Sequence, residues 1–307
     1  MCLNDDHQSD KAIQCLIYCL QTKNKMDKMK HAFIELMLTY EEKNHMNNAR
    51  AVVHLFNMHT NDYEDELTWK NVYQRPGYIY HNPSKPVYQD IDYPKWCSIL
   101  QTNYKIIQKE FLELWHANDK SNNVPMHWPQ VGERVQHDHR VVSKGDWREF
   151  VLFGPNTTRS NRIIAPKTKE WIQTHAPDVI SLCNLGGGEV IFSILAPHTY
   201  IAPHCANSNI RLTAHLGLKI PNVKVDSEKP KCGIRIEKQW HEWKEGQFLV
   251  FDDSYEHEVI NDTDECRCVL LLRFWHPGIK PSHWNTAIQD IMDQKKIAEA
   301  IRFNPPI

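Results

Sequence analysis

The sequence lacks any apolar run long enough to cross a membrane. A spanning helix needs roughly 18 or more consecutive apolar residues, whereas the apolar stretch at residues 13–20 is far shorter and follows three aspartates. These acidic neighbours also argue against a signal peptide. We therefore expect no membrane span in this chain and a soluble, cytoplasmic protein. Whether a longer form of the protein carries a membrane anchor is a separate question that this sequence leaves open.

Neither sign of charge dominates, and the cysteines lack a pairing pattern. The chain has 36 Lys and Arg against 38 Asp and Glu, a formal net charge of −2. This balance excludes a general binder of nucleic acid or of anionic membranes. The nine cysteines show no CxxC spacing, and an odd number leaves at least one unpaired within the chain. That usage is typical of a reducing compartment.

A phosphate-binding loop is also missing. Gly186, Gly187 and Gly188 are consecutive, but no Lys-Ser/Thr follows them in a strand-then-helix context. What remains is ordinary globular composition, 41% hydrophobic and 24% charged over 307 residues. That length allows one large domain with a smaller addition.

Two segments alternate with the period of a β-strand. Between residues 210 and 218 one face is continuously apolar, while the other carries Arg211, Thr213 and His215. Between residues 267 and 274 both faces are largely apolar, yet the segment begins with Arg267. A buried arginine is costly unless an anion meets it, and a guanidinium suits a carboxylate in a two-point contact.

Two histidines are candidates for metal binding. His204 follows a proline, His257 follows an acidic turn, and they lie 53 residues apart (257 − 204). Two imidazoles from different strands with one carboxylate make the facial triad of non-haem Fe(II) oxygenases. The carboxylate usually stands two residues after the first histidine, where this chain has Ala206. Spacing alone thus gives two ligands. His137-Asp138-His139, in a polar loop at residues 118–143, is a second and weaker metal candidate.

Several motifs together resemble one enzyme family. They are Ala202-Pro203-His204, His215-Leu-Gly-Leu, Phe251-Asp-Asp-Ser-Tyr-Glu-His257-Glu-Val and Trp275-His-Pro. In this order they resemble the catalytic domain of the aspartyl/asparaginyl β-hydroxylases, which are Fe(II)- and 2-oxoglutarate-dependent oxygenases. The resemblance covers roughly residues 69–280. It implies a mainly β fold with α-helices: a double-stranded β-helix (jelly roll) with N-terminal helices and a C-terminal helix.

The resemblance also implies roles for individual residues. His204 and His257 would hold Fe(II), and the family lacks the third carboxylate ligand, so Ala206 agrees with its pattern. Arg267 and Ser193 would bind the distal carboxylate of 2-oxoglutarate, and His215 its oxoacid end. O2 would be the second cosubstrate. The segment around Trp147 and Arg148 is similar to one that lines the substrate entrance, although Trp147 also suits a protein core.

The chain departs from the family pattern at two positions. The family commonly has Arg-Leu-Arg where this chain has Arg211-Leu212-Thr213, so one guanidinium facing the substrate is lost. Arg273 stands where an acidic residue is usual. Arg211 and Thr213 are therefore the predicted substrate-binding positions. The loss of one arginine weakens the prediction that the substrate is acidic.

The order of elements follows from the apolar periods. We expect helices within residues 11–60, 94–117, 167–175 and 282–303, and strands near 189–195, 199–203, 209–220, 232–237, 247–252, 257–261 and 267–275. Residues 1–68 would form a helical region, either the remnant of a repeat or a plain cap. Residues 69–307 would form the oxygenase domain.

The expected activity is hydroxylation of a C–H bond. The resemblance favours the β-carbon of an aspartyl or asparaginyl residue in a peptide or protein. A free amino acid, a lipid or another small molecule is the alternative substrate. A barrel that binds a ligand without turnover is the third reading, against which the complete set of motif residues argues.

Overall fold

The computed structural model describes part of the chain in detail. The described residues are 13–14, 17–18, 36–37, 39–40, 43, 45–60, 82–117, 125, 127–131, 142–160, 163–206, 208–222 and 229–292. The chain divides into a larger unit (Asn82–His204 and Asn209–Ile288) and a smaller one (Met1–His81, Cys205–Ser208 and Gln289–Ile307). The predicted boundary at residue 68 lies outside the described residues and stays a prediction. In the smaller unit, helix α1 spans Met46–Thr60 and buries Ala49 and Val52.

The larger unit contains two five-stranded antiparallel sheets. Their strand orders are β1-β4-β9-β6-β7 and β2-β3-β10-β5-β8. The strands are β1 (Val142–Lys144), β2 (Trp147–Phe153), β3 (Val190–Leu195), β4 (Thr199–His204), β5 (Arg211–Lys219), β6 (Cys232–Ile236), β7 (Gln239–His241), β8 (Phe248–Phe251), β9 (His257–Asn261) and β10 (Arg267–Trp275). This architecture confirms the predicted double-stranded β-helix.

An apolar core lies between the two sheets. It draws Val259 and Ile234 from one sheet and Val269 and Ile191 from the other. Successive side chains of a strand point to opposite faces, so Arg267 and Leu271, which share a face with Val269, also point inward. The alternation between residues 267 and 274 therefore corresponds to the two faces of β10, one of which is turned to the barrel interior.

A second and larger core covers the outer face of the β2-β3-β10-β5-β8 sheet. Leu270, Leu272 and Leu212 pack there with apolar residues of the helices. The helices are α2 (Lys95–Thr102), α3 (Tyr104–Trp115), α4 (Pro166–His175) and α5 (Pro177–Asn184). Strand β10 is thus buried on both faces, which explains its nearly continuous apolar sequence.

The prediction of a single helix over residues 94–117 is wrong in one respect. The chain forms two helices because Asn103 breaks the run, with φ −98° and ψ 9°. Its side-chain amide donates a hydrogen bond to the carbonyl of Ile99 at 2.9 Å. Asparagine competes in this way for backbone groups, which disfavours a helix interior. Ile107, Phe111 and Trp115 still form the buried face.

Other element predictions are confirmed or corrected by a few residues. The helix expected at 167–175 begins at Pro166, and all seven expected strands are present within about two residues. Helix α5 and strands β1, β2 and β7 were not predicted. Ser282 lies in a 3₁₀ turn, and the last described helix, α6 (Trp284–Met292), begins two residues later. Residues 293–303 and the triplet at 137–139 lie outside the described residues. In the described part of the chain, no helix combines the length and apolarity that a membrane crossing requires.

Asn261 ties two turns of the barrel together, which gives a test of the fold. Its fully buried amide donates to the carbonyls of Ala196 and Glu265 at 2.8 and 2.9 Å, and its Oδ1 accepts from Thr263. Asn261→Ala leaves these buried groups unsatisfied, so we expect the free energy of unfolding to fall by about 2–4 kcal/mol. Urea denaturation measures this. The exposed Asn184→Ala is the control and should change stability by less than about 0.5 kcal/mol; equal effects would contradict the role of Asn261.

Candidate metal and cosubstrate site

The two candidate metal ligands are directly opposite each other on neighbouring strands. His204 of β4 pairs with His257 of β9, and their ring centres are 4.1 Å apart. Each Nδ1 lies at hydrogen-bond distance from the carbonyl two residues earlier, Ala202 at 2.8 Å and Tyr255 at 2.9 Å. A carbonyl only accepts, so both Nδ1 atoms carry the proton. The lone pair of each neutral ring therefore sits on Nε2, the form that binds a metal.

A bulge in β4 makes this pairing possible. The register advances three residues on β4, from Ile201 to His204, while β9 advances only two, from Val259 to His257. Without the extra residue, His204 would point to the face opposite that of Ile201. Pro203 stands in this interval, and proline cannot donate to a β-ladder, so it is found at such bulges.

An ion-pair network holds the strand that carries His257. Arg235 of β6 contacts Glu256 at 2.7 Å and also binds Glu258, the residues on either side of His257. Tyr200 of β4 donates to the same Glu258. Side chains alternate along a strand, so these contacts lie on the outer face and leave the imidazole inward. Burial lowers the pKa of His257, only partly opposed by its bond to Tyr255 and by the charge of Asp253.

Arg267 is buried in the barrel interior beneath an aromatic ring. It is 2% exposed, and its guanidinium carbon lies 4.7 Å from the centre of the Trp243 ring. Its Nε has no hydrogen-bond partner, and no carboxylate among the described residues lies at ion-pair distance from it. Burial lowers its pKa, although a guanidinium stays protonated. The position therefore holds a desolvated cation, on which Glu149 acts without an ion pair, and its buried donor suits an anionic ligand.

His215 and Ser193 place further donors near this arginine. The Nε1–H of Trp243 donates to His215 Nδ1 at 3.1 Å, so the proton of His215 is on Nε2, which is buried without a partner. Burial and the charge of Arg267 hold the pKa of His215 well below its usual value. Ser193 accepts from Trp147 Nε1 at 2.9 Å, which leaves its own O–H to donate.

A polar cluster lies further along the same interior face, and we call it the Arg211 cluster. Its members are Arg211, Thr213, Asp253, Arg273 and Glu189. Asp253 Oδ2 accepts from Thr213 at 3.0 Å and lies 3.5 Å from Arg211. Arg273 contacts Glu189 at 3.3 Å. Burial acts to raise the pKa of Asp253, but the charges of Arg211 and Arg273 hold it below its usual value.

The structure brings together most of the sequence-predicted site residues, with one exception. Arg148 is 7% exposed, pairs with Asp146 at 2.8 Å and donates to the carbonyl of Trp128 at 2.8 Å. It points to the outer, helix-covered face of β2, whereas Trp147 points inward. Trp243, Asp253 and Glu189 were not predicted as site residues. Trp243 lies outside any periodic segment, so only its contacts identify it.

The residues present fit the cosubstrates that the sequence predicts. A buried guanidinium, a histidine Nε2–H and a serine O–H offer donors to an anion with two carboxylate ends, as 2-oxoglutarate has. The two imidazoles offer two nitrogen ligands to a divalent metal. The described residues contain no group of three or more His, Cys, Asp or Glu that could hold one.

Comparison with known proteins finds several similar chains. The family model described as aspartyl/asparaginyl beta-hydroxylase matches residues 101–277. The human aspartyl/asparaginyl beta-hydroxylase is 32% identical over 63% of this chain and 23% of its own length. An ornithine lipid ester-linked acyl 2-hydroxylase of Rhizobium tropici is 28% identical over 67% of this chain and 66% of its own. Mouse aspartate beta-hydroxylase domain-containing protein 2 is 36% identical over 59% and 48%.

The fold and the site define a double-stranded β-helix that carries two inward histidines and a buried arginine. The chain belongs to the aspartyl/asparaginyl β-hydroxylase family, because the family model spans more than half of it. It covers about a quarter of the length of the mammalian β-hydroxylases that it matches.

The depressed pKa of His215 predicts how stability depends on pH. The unfolded chain binds a proton below about pH 6.5, while the buried ring does not. The free energy of unfolding of metal-free protein should therefore fall as the pH drops below about 6.5. His215→Gln removes this titration, so its stability should fall less between pH 7 and pH 5. Parallel pH profiles from denaturant unfolding would contradict the assignment.

Proposed function

We propose that this chain is an Fe(II)- and 2-oxoglutarate-dependent hydroxylase that acts on an aspartyl or asparaginyl side chain of a peptide or protein. The observation that carries the proposal is Arg267, a fully buried cation whose nearby donors, His215 Nε2 and Ser193 Oγ, also face the interior. Glu149 acts on this cation without forming an ion pair, and a buried charge without a close partner is costly. A dicarboxylate ligand supplies one.

The proposed roles follow from the contacts. His204 and His257 hold the metal through Nε2, with their rings fixed by the carbonyls of Ala202 and Tyr255. Arg267 and Ser193 bind the distal carboxylate of 2-oxoglutarate, and His215 donates to its oxoacid end. When bound, Fe(II) supplies the O2 chemistry that converts 2-oxoglutarate to succinate and carbon dioxide and oxidises a substrate C–H bond. The protein orients these groups and keeps water out of a largely apolar interior.

Trp243 organises the cosubstrate end of the site. Its ring covers Arg267, and its Nε1–H fixes the tautomer of His215. Trp147 similarly fixes Ser193, because its indole occupies one lone pair of the hydroxyl. Trp147 thus supports cosubstrate binding as well as lining the interior, while the Arg211 cluster faces the substrate.

A lipid or another small molecule is the second candidate substrate. Thr213 supports it, because the arginine that the family commonly has there is missing. The ornithine lipid ester-linked acyl 2-hydroxylase of Rhizobium tropici also matches this chain, over a span similar to that of the aspartyl/asparaginyl beta-hydroxylases.

The metal ligands have no redundancy. His204→Ala or His257→Ala leaves a single imidazole, so we expect iron content and conversion of 2-oxoglutarate to succinate to fall to background. His241→Ala is the matched control, because this half-buried histidine belongs to β7; it should keep both. Succinate formation at wild-type rate in either ligand variant would remove the metal assignment.

Arg267 is predicted to bind the cosubstrate without holding the metal. Arg267→Ala should weaken 2-oxoglutarate binding by about 2–5 kcal/mol, because the carboxylate then stays desolvated and unpaired. Titration calorimetry on protein loaded with redox-inert Zn²⁺ measures this. The exposed Arg159→Ala is the control. Unchanged affinity in Arg267→Ala, with metal still bound, would show that the arginine is structural.

A further inference from the structure

The Arg211 cluster contains a second guanidinium, although β5 has Thr213 where the family commonly has an arginine. Arg273 of β10 is directly opposite Thr213 of β5, and cross-strand partners share a face of the sheet. Arg273 therefore points into the interior beside Arg211, from the neighbouring strand. The cluster keeps two guanidinium groups even though Thr213 supplies none.

These two cations are already matched by two carboxylates. Arg273 pairs with Glu189 at 3.3 Å, and Asp253 lies 3.5 Å from Arg211 and 4.0 Å from Arg273. The formal charge of the four side chains is therefore zero. A substrate carboxylate would add a third anion to a partly buried group whose two cations are already matched, and placing like charges together is unfavourable.

The cluster contains both hydrogen-bond donors and an acceptor that lack partners in the described part of the chain. Arg211 Nε and Arg273 Nε are buried donors without a hydrogen-bond partner in the described part of the chain, and Asp253 Oδ1 is a buried acceptor without one. The 4.0 Å separation of Arg273 and Asp253 is too long for a hydrogen bond. Asp253 is only 6% exposed, so bulk solvent barely reaches it.

A primary carboxamide matches this set, and a carboxylate does not. Its oxygen accepts from a guanidinium Nε–H, and its NH2 donates to Asp253 Oδ1. A carboxylate can only accept, so it would satisfy the arginines while its oxygens faced the acceptor atom of Asp253. A site that hydrogen-bonds a group in this way discriminates strongly against an analogue that cannot reciprocate.

We infer that the Arg211 cluster selects an uncharged primary carboxamide over a carboxylate, so that the substrate side chain is asparaginyl rather than aspartyl, with Arg273 and Glu189 as the determinants. The inference rests on the proposed function, since it concerns the substrate end of the same site. Arg273 compensates for Thr213, and Glu189 cancels the charge that Arg273 brings.

The test compares three capped tripeptides that differ only in the central residue. N-acetyl-Gly-Asn-Gly-amide, N-acetyl-Gly-Asp-Gly-amide and N-acetyl-Gly-Gly-Gly-amide are titrated at pH 7 into protein loaded with Zn²⁺ and 2-oxoglutarate, and binding is followed by NMR. The asparagine probe should bind at least about tenfold more tightly than the aspartate probe. The glycine probe reports what the backbone amides contribute alone, and should bind less tightly than the asparagine probe but no less tightly than the aspartate probe.

Glu189→Gln tests the cause of the preference. It removes one negative charge with little change of shape, so the asparagine-to-aspartate ratio of affinities should fall by about tenfold. Arg273→Gln is the reciprocal variant and should weaken the aspartate probe further. Glu113→Gln, an exposed glutamate on α3, is the matched control and should leave the ratio unchanged. Circular dichroism confirms that each variant is folded.

Three outcomes would overturn the inference. They are a wild-type protein that favours the aspartate probe or binds both equally, a ratio that neither Glu189→Gln nor Arg273→Gln alters, and binding of none of the probes. The proposed function is judged separately by 2-oxoglutarate titration of wild-type and Arg267→Ala protein. Loss of the carboxamide preference with intact Arg267-dependent binding would leave the hydroxylase assignment in place.

Discussion

The interior of this barrel is organised around a buried cation that has no carboxylate at ion-pair distance among the described residues. Arg267 lies at the start of a strand that is apolar on both faces, and the carboxylate of Glu149 on β2 acts on it without forming an ion pair. Its neighbours offset the charge only in part: the face of the Trp243 ring attracts the guanidinium, but His215 and Ser193 present donors rather than acceptors. The folded protein therefore carries a desolvation cost that an anionic ligand offsets, and ligand binding should stabilise the fold.

Much of the barrel could be predicted from the sequence because strand periodicity is directly visible there. The segments of β5 and β10 alternate clearly, and the motifs around His204 and His257 carry the family resemblance. Elements without such a pattern were missed. Helix α5 is only eight residues long, β7 only three, and the break between α2 and α3 depends on one asparagine whose side chain binds Ile99.

Candidate site residues could be predicted from the sequence where they belong to a recognisable motif. Residues that matter through their contacts with a neighbour could not. Trp243 shows no periodicity and is recognisable only from its contacts with Arg267 and His215. Arg273 and Thr213 are 60 residues apart in sequence (273 − 213), so their adjacency follows from the pairing of β5 with β10. Two separate departures from the family pattern thus become one coupled change, which only the sheet register reveals.

If His204 and His257 hold the metal as proposed, their position makes metal uptake sensitive to how the barrel has been assembled. Each strand contributes one imidazole, and their opposition depends on the extra residue beside Pro203 in β4. A slip of one residue would turn an imidazole to the outside, leaving a compact barrel with only half of its ligand pair. The amount of bound iron would then distinguish molecules with the native β4–β9 register from molecules in which this register is shifted. Secondary-structure content alone would not separate the two forms.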